Sequence, residues 1–184
     1  MSLNDAKDHQ ILNDLYVRAC RALLSAYGLT VSVQEQDGGT GARNKASCVS
    51  VLGASGEGIR LSSMLRIDRD LVISMHPLGS ANVSQPDLED WCLELNNQLV
   101  GRVKNKLLGY GRVVVVGLPV LLTGTDVSAV TLPNSEVHQY SVESAEGQIT
   151  LTLATLIAPD VELQEIEPSM NDEAVLIEGA VALF

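Results

Sequence analysis

Hydrophobic residues at the start of the chain recur at three- and four-residue steps, which is the spacing of one face of an α-helix. This pattern predicts a helix over residues 5–27, with Gly28 ending it in the left-handed conformation that glycine tolerates. The period then changes to two, because apolar and polar residues alternate over residues 29–33. The chain is therefore expected to begin with a long helix followed by a half-buried strand.

Short runs of alternating or β-branched residues predict the strands of a sheet. They lie at residues 46–52, 58–65, 71–76, 112–116, 136–143 and 147–157. The first two are joined by the turn-forming sequence GASGEG, and the last two by Ala145-Glu146-Gly147. The run RVVVV at 112–116 is typical of a central strand. A chain of 184 residues is long enough for one ordinary domain, so these elements indicate a single α/β domain.

A second long helix is predicted over residues 85–108, with start and stop signals at both ends. Ser84 can accept hydrogen bonds from the first free amides, and Pro86 fits the first turn, where an amide needs no partner. Acidic residues follow at the positive end of the helix dipole, and basic residues precede Gly109 at the negative end. We expect Gly109 to end this helix.

The second long helix has one apolar and one polar side when its residues are spaced by 100°. The apolar side is predicted to be buried and consists of Leu88, Cys92, Leu95, Leu99, Val103 and Leu107. The opposite side consists of Asp90, Glu94, Asn97, Gly101 and Lys104. Asn96 is predicted to point to the margin of the buried side, which leaves Asn97 as the exposed amide.

Gly101 stands one turn after Asn97 on the exposed side. A glycine inside a helix costs about 0.5–1 kcal/mol relative to alanine, so close approach of another molecule is one reason to keep it. Glu94, Asn97 and Gly101 would then form a small docking surface. The alternative interpretation is a solvated helix face that tolerates a glycine.

Composition and charge exclude several classes of function. The net charge of −11 and the lack of a basic patch argue against binding to nucleic acid. No apolar run is long enough to span a membrane, and the first ten residues do not resemble a signal peptide. The three cysteines are far apart in sequence, which indicates buried, reduced thiols in a cytoplasmic protein. The three histidines are isolated, so no metal site is predicted.

Two further segments carry open alternatives. The glycine-rich loop 37–45 lacks a phosphate-binding motif and is interpreted as a hairpin loop, although a small-molecule sensor with a pocket beneath it is a further hypothesis. Residues 159–184 contain seven acidic residues and no basic one, and they end in GAVALF. We interpret them as an acidic extension to a domain formed by residues 1–158, partly ordered and packed on it at its end, or as a docking peptide for another protein.

The segment 87–124 resembles the CheX/CheC family of chemotaxis phosphatases. The family signature is E-x-x-N, three further residues and a glycine, followed by a lysine, a strand, a proline and a glycine. The matching residues here are Glu94, Asn97, Gly101, Lys104, Pro119 and Gly124. The order of the flanking elements is also similar, so the resemblance covers about residues 8–158. A second E-x-x-N motif is absent from the first helix, which makes the chain more similar to the single-site CheX proteins.

The resemblance implies an α+β fold, in which a mixed or antiparallel sheet packs against two long helices. It implies an enzyme that removes phosphate from the aspartyl phosphate of a CheY-like response regulator. Asn97 would orient the attacking water and Glu94 would anchor the regulator, with Asp90, Gly101 and Lys104 contacting this partner. The magnesium ion would belong to the regulator, so no cofactor of its own is expected. A cytoplasmic homodimer is implied as well.

The sequence differs from the family pattern at three places, namely Arg102, Val120 and the segment 64–76, which we interpret as a hairpin arm where the family pattern has a helix. The competing hypothesis is a binding or scaffold module of chemotaxis or the flagellar switch, with the same fold and no catalysis. Such relatives tend to lose the acid–amide pair, and this chain keeps it.

Overall fold

The fold is described from a computed structural model, which covers residues 3–29, 33–35, 47–77, 83–122 and 133–166. Within these ranges the chain forms three helices and a seven-stranded sheet. The helices are α1 (Leu3–Ala26), α2 (Arg69–Met75) and α3 (Gln85–Leu108). The strands are β1 (Gln34–Glu35), β2 (Ser47–Gly56), β3 (Ile59–Asp68), β4 (Val115–Val116), β5 (Val120–Leu122), β6 (Glu136–Glu143) and β7 (Gln148–Ile157).

All neighbouring strands of the sheet are antiparallel, in the order β1-β6-β7-β3-β2-β4, and β5 also pairs with β2. The two long helices pack on each other, with α1 against β7 and α3 against β2 and β3. Aliphatic side chains from both helices and the central strands fill the space between them, among them Leu23, Leu65, Leu95, Leu99 and Leu151. The expected α+β architecture, with two long helices on a sheet, is confirmed.

The predicted limits of the long elements agree closely with the structure. The helix predicted at 85–108 is confirmed, and the helix predicted at 5–27 begins and ends within two residues of α1. The final hairpin corresponds to β6 and β7. These elements were predictable because each has a long, regular period of hydrophobic residues, which averages out single exceptions.

The turn of the β2–β3 hairpin is tighter than the sequence indicated. Residues 53–56 continue β2, and only Glu57 and Gly58 form the turn. Both have positive φ, at 50° and 78°, which is the combination that joins twisted strands through two residues. The longer turn predicted from GASGEG was therefore wrong, because small residues are also compatible with a strand.

The strand predicted at residues 71–76 was wrong, since this segment forms helix α2. Leu71, Val72 and Met75 are its buried residues, and their one- and four-residue spacing suits a helix that contacts α3 and β3. A short apolar run does not distinguish a helix from a strand by its period alone. The chain therefore has a helix where the family pattern has one.

The central strand predicted at 112–116 was also wrong. Only Val115 and Val116 are in a strand, and among the described strands β4 lies at the end of the sheet. Val113 and Val115 are 51% and 71% exposed, so the β-branched run does not enter the core as a whole. High β-propensity indicates a strand but carries no information on whether its two faces are covered.

Helix α3 ends at Gly109 as predicted, but this glycine has a right-handed conformation, with φ of −63°. The left-handed glycine is Gly111, with φ of 65°, and Arg112 N donates to Leu107 O at 3.0 Å just beyond the helix end. The chain thus turns two residues later than we predicted.

Part of the acidic extension packs on the domain. Val161 and Leu163 are buried, and Leu163 N donates to Asp8 Oδ1 of α1 at 2.9 Å. Ile166 N donates to Gly109 O at 2.9 Å, which brings the extension to the end of α3. Three predicted segments lie outside the described residues, namely the loop at 37–45, most of the strand at 29–33 and the part of the acidic extension from residue 167 onwards.

Asn96 anchors α3 to the sheet through a buried hydrogen-bond cluster. Its Nδ2 donates to the backbone oxygens of Ser50 and Ser63 at 3.1 and 3.2 Å and to Ser50 Oγ at 3.2 Å. Its Oδ1 accepts from Ser63 Oγ at 2.8 Å. The Tyr16 hydroxyl lies 2.8 Å from Ser63 Oγ, and since the single serine proton goes to Asn96, Tyr16 is the donor. This cluster joins α1, α3, β2 and β3.

A second polar cluster holds the short strand β1 to β6. His138 Nδ1 lies 2.7 Å from Glu35 Oε1, and its Nε2 lies 2.8 Å from Glu136 Oε1. Burial disfavours the charged imidazole, but the hydrogen bonds to the two carboxylates outweigh it, so the pKa of His138 is raised above its usual value. Glu136 also faces His9 of α1, whose Nδ1 lies 3.6 Å from Glu136 Oε2.

Asn96→Ala is expected to lower the free energy of unfolding by about 2–3 kcal/mol, because it leaves the buried groups of Ser50 and Ser63 without their partner. Asn97→Ala is the matched control, since it changes the same residue type one position further on, at an exposed side chain. We expect that change to stay within about 0.5 kcal/mol. Urea unfolding measures both, and a loss of equal size at Asn97 would contradict the assigned helix face.

The His138 cluster should make stability depend on pH. Because the pKa of His138 is raised by folding, its contribution is fully present below the pKa of the unfolded chain and is lost as pH rises through the folded pKa. The stability difference between wild type and His138→Gln should therefore be larger at about pH 6 than at about pH 8.5. Chemical unfolding at the two pH values measures this difference, and equal values would rule out a charged bridge.

Candidate functional site

Helix α3, which carries the candidate site, begins at a capping box. Ser84 and Asp87 form a capping box, in which Ser84 N donates to Asp87 Oδ2 at 2.9 Å and Asp87 N donates to Ser84 Oγ at 3.4 Å. The hydrogen bonds from Ser84 also lower the pKa of the Asp87 carboxyl. The start of the helix and the Asn96 anchor together fix the rotation of α3, and this rotation turns Asn97 to solvent.

Glu94 and Asn97 lie side by side on this face. Asn97 Nδ2 donates to Glu94 Oε2 at 3.4 Å, a long hydrogen bond that another partner can replace. Asn97 is exposed, whereas Glu94 is half-buried. The pair therefore presents one neutral amide and one carboxylate to an approaching molecule.

Two residues that the sequence analysis did not single out also belong to this site. Gln98 Nε2 donates to Glu94 Oε1 at 2.9 Å, and the Tyr27 hydroxyl donates to Gln98 Oε1 at 2.9 Å. The four-residue spacing of Glu94 and Gln98 was a usable signal, because side chains at this spacing are neighbours on a helix. No sequence pattern indicated Tyr27, since its contact depends on how α1 packs against α3.

Tyr27 is held on the side of α3 by an aromatic contact. Its ring meets Trp91 edge to face, with centroids 5.5 Å apart and planes at 89°. Burial raises the pKa of the Tyr27 phenol, although its hydrogen bond to Gln98 acts in the opposite direction. The phenol is therefore neutral near pH 7 and is able to donate its proton to Gln98.

The other predicted site residues, Asp90, Gly101 and Lys104, lie along the same helix face as the pair. Asp90 is exposed, and Gly101 and Lys104 are partly exposed. Within the part of the chain that the structure describes, no side-chain hydrogen bond or ion pair joins Asp90 or Lys104 to Glu94 or Asn97. A Cβ atom at Gly101 would meet nothing within 4 Å, so this glycine is not required by packing inside the protein. Gly124 of the family signature lies outside the described residues.

The Glu94–Asn97 pair can position a molecule and supply a negative charge. An amide can donate to and accept from water, and a carboxylate can pair with a cation of a partner.

Cys20, Cys48 and Cys92 are buried free thiols, as the sequence predicted. Among the described residues, His, Cys, Asp and Glu form no group of three or more that could hold a metal ion. Over the same residues, no helix has the length and apolar character needed to cross a membrane.

Similarity to known proteins is found in structure rather than in sequence. The sequence matches no known family model and no curated protein. The chemotaxis protein CheX from Vibrio vulnificus matches with a TM-score of 0.68 at 15% identity, over 78% of this chain and 98% of that chain. The CheX–CheY–BeF3–Mg2+ complex from Borrelia burgdorferi matches with a TM-score of 0.59 at 12% identity, over 78% of this chain and 96% of that chain.

The protein has the CheX/CheC fold. The same architecture is found in FliM, since the FliM–SpeE complex from H. pylori matches with a TM-score of 0.56 at 14% identity, over 85% of this chain and 90% of that chain. The resemblance recognised in segment 87–124 is thus confirmed for the fold. At these identities a shared architecture does not by itself assign an activity, which has to be argued from the site.

Gly101→Ala is expected to raise the free energy of unfolding by about 0.5–1 kcal/mol, because alanine favours the helix and its methyl group has room. Thermal or urea unfolding measures the change. A destabilised variant would mean that the position is crowded in the folded protein.

Proposed function

We propose that this protein is a phosphatase that hydrolyses the aspartyl phosphate of a CheY-like response regulator. The observation that carries the proposal is the pair Glu94 and Asn97, in contact at 3.4 Å on an exposed helix face. The fold adds support, because a CheX protein of this fold has been crystallised together with CheY, BeF3 and Mg2+. The partner proposed here is accordingly a regulator of the CheY type.

In the proposed reaction, water attacks the phosphorus atom of the regulator's aspartyl phosphate. The new bond forms between the water oxygen and phosphorus, the bond from phosphorus to the aspartate oxygen breaks, and inorganic phosphate leaves. Asn97 holds and orients this water through its amide, which suits a reaction driven mainly by positioning and charge stabilisation. Mg2+ is supplied by the regulator.

Glu94 is proposed to anchor the regulator by pairing with one of its lysines. Gly101, one turn after Asn97 on the same face, lets the regulator approach the helix backbone, because glycine has no side chain at that position. The more stable Gly101→Ala variant should then be slower, since its methyl group occupies space that the partner needs. Asp90 and Lys104 lie further along the same face and are proposed to contact the regulator at the rim. The resemblance also implies a homodimer, which remains a prediction.

A binding module without catalysis is the second candidate, and the structural similarity to FliM favours it. Such a module would hold a partner on the same face of α3 without orienting water. The two candidates differ in what happens to the bound regulator, since only the phosphatase accelerates loss of its phosphate.

The decisive measurement is the rate of phosphate loss from a phosphorylated CheY-like regulator in the presence of Mg2+. Wild-type protein should accelerate it, and Asn97→Ala should lower the acceleration by at least about a hundredfold, because a group that positions the reacting water is lost. The matched control is Gln85→Ala, which removes another exposed amide from the same helix, more than three turns before Asn97 and on a different face, and should leave the rate unchanged.

Equal activity of wild type and Asn97→Ala would remove Asn97 from the reaction. Absence of acceleration with every regulator of the same cell, together with tight binding to one of them, would instead support the binding module. Loss of activity in Gln85→Ala as well would point to damage of the helix rather than to a specific role of Asn97.

A further inference from the structure

The carboxylate of Glu94 accepts a hydrogen bond from Gln98, which in turn accepts one from Tyr27, just beyond the end of α1. We infer that Gln98 and Tyr27 are positioning residues, which aim the Glu94 carboxylate at the cationic group of the bound regulator. The inference rests on the proposed function, because it explains how the proposed anchor is oriented. It adds two residues to the site, one of which lies just beyond α1.

The chemistry of the groups allows only one direction for this chain. A carboxylate only accepts hydrogen bonds, so Gln98 must turn its NH2 group to Glu94 and its oxygen to Tyr27. Tyr27 must then be the donor to that oxygen, as the 2.9 Å contact requires. A flipped Gln98 amide would bring its oxygen against the Glu94 carboxylate, where neither group has a proton to donate. The orientation of Glu94 is thus determined by a residue outside α3.

Tyr27, at the far end of this hydrogen-bond chain, is fixed by two structural elements. Gly28 has a φ of 77° and Leu29 N donates to Leu24 O at 3.1 Å, so the turn that follows α1 is closed by backbone hydrogen bonds. The Tyr27 ring lies against Trp91, one turn before Glu94 on α3. Because Tyr27 is fixed by the turn and by Trp91, its hydroxyl donates to Gln98 from a fixed position.

A half-buried glutamate on a helix face otherwise samples several rotamers, and ordering one long side chain costs conformational entropy. Prior ordering by Gln98 removes part of that cost from the binding step. The effect belongs to binding rather than to chemistry, because the water-orienting group is Asn97, which contacts the other carboxylate oxygen, Oε2. Loss of this hydrogen-bond chain should therefore raise KM for the phosphorylated regulator and leave kcat nearly unchanged.

The most direct test is Tyr27→Phe, which keeps the ring against Trp91 and removes only the hydroxyl donor. We expect KM for the phosphorylated regulator to rise about three- to tenfold, the size of one hydrogen bond, with little change in kcat. Gln98→Glu should raise KM further, because it places a second negative charge beside Glu94. In a Glu94→Ala background, Tyr27→Phe should have no additional effect.

Tyr110→Phe is the matched control, since Tyr110 is a partly buried tyrosine beyond the other end of α3 and should leave KM unchanged. An equal rise of KM in this control, or additive effects of Tyr27→Phe and Glu94→Ala, would overturn the inference. A fall in kcat with constant KM would overturn it as well, because the hydroxyl would then act on the chemical step.

A second measurement on the protein alone separates this inference from the proposed function. The side-chain amide NMR signals of Gln98 should shift in Tyr27→Phe and in Glu94→Ala, and stay in place in Tyr110→Phe. Unmoved signals in the first two variants would overturn the inference whatever the activity is. If wild type binds the regulator without dephosphorylating it, the phosphatase proposal fails. The positioning role is then tested by affinity, since Tyr27→Phe should bind the regulator more weakly than wild type.

Discussion

The buried amide of Asn96 is the constraint on which the geometry of the site depends. A polar side chain in a core is tolerated only when its donors and acceptors are paired, and Asn96 finds all its partners on β2 and β3. Hydrophobic contacts alone would tolerate a small rotation of α3, because aliphatic side chains repack with little loss. The directional bonds of Asn96 exclude such rotation, and they thereby determine which side of the helix Asn97 occupies.

Two successive asparagines therefore have opposite surroundings and opposite effects. Asn96 is fully buried and stabilises the fold, whereas Asn97 is exposed and available to a partner. The 100° step between neighbouring helix residues produces this difference without any irregularity in the helix. The regular helix geometry that packs α3 on the sheet therefore also places the site residues on its exposed face.

The sequence was sufficient for the elements with long periods and insufficient for the short ones. The limits of α3 and the burial of residues such as Leu95 and Leu99 were predictable from hydrophobic spacing and end signals. Helix α2 was missed because seven residues hold too few turns for a period to be recognised. The peripheral place of β4 was missed because strand order depends on contacts distant in sequence.

The same distinction applies to the candidate site. Glu94, Asn97 and Gly101 could be chosen from one helix, since their spacing alone puts them on one face. Tyr27 could not, because its place beside Gln98 results from the packing of α1 against α3. Contacts between elements therefore complete a site whose central residues a single element already defines.

The outer strands of the sheet affect how the protein can pair with another chain. Among the described strands, the two ends of the sheet are β1 and β4, each of two residues, and β5 beside β4 has three. An open edge invites pairing with another chain, and the exposed Val115 and Leu118 would favour it. Interruption of this edge at residues 117–119, where Pro119 has no amide proton to donate, leaves no continuous row of hydrogen-bonding groups for an incoming strand. An incoming strand would therefore meet an apolar border on which it can form only a few consecutive backbone hydrogen bonds.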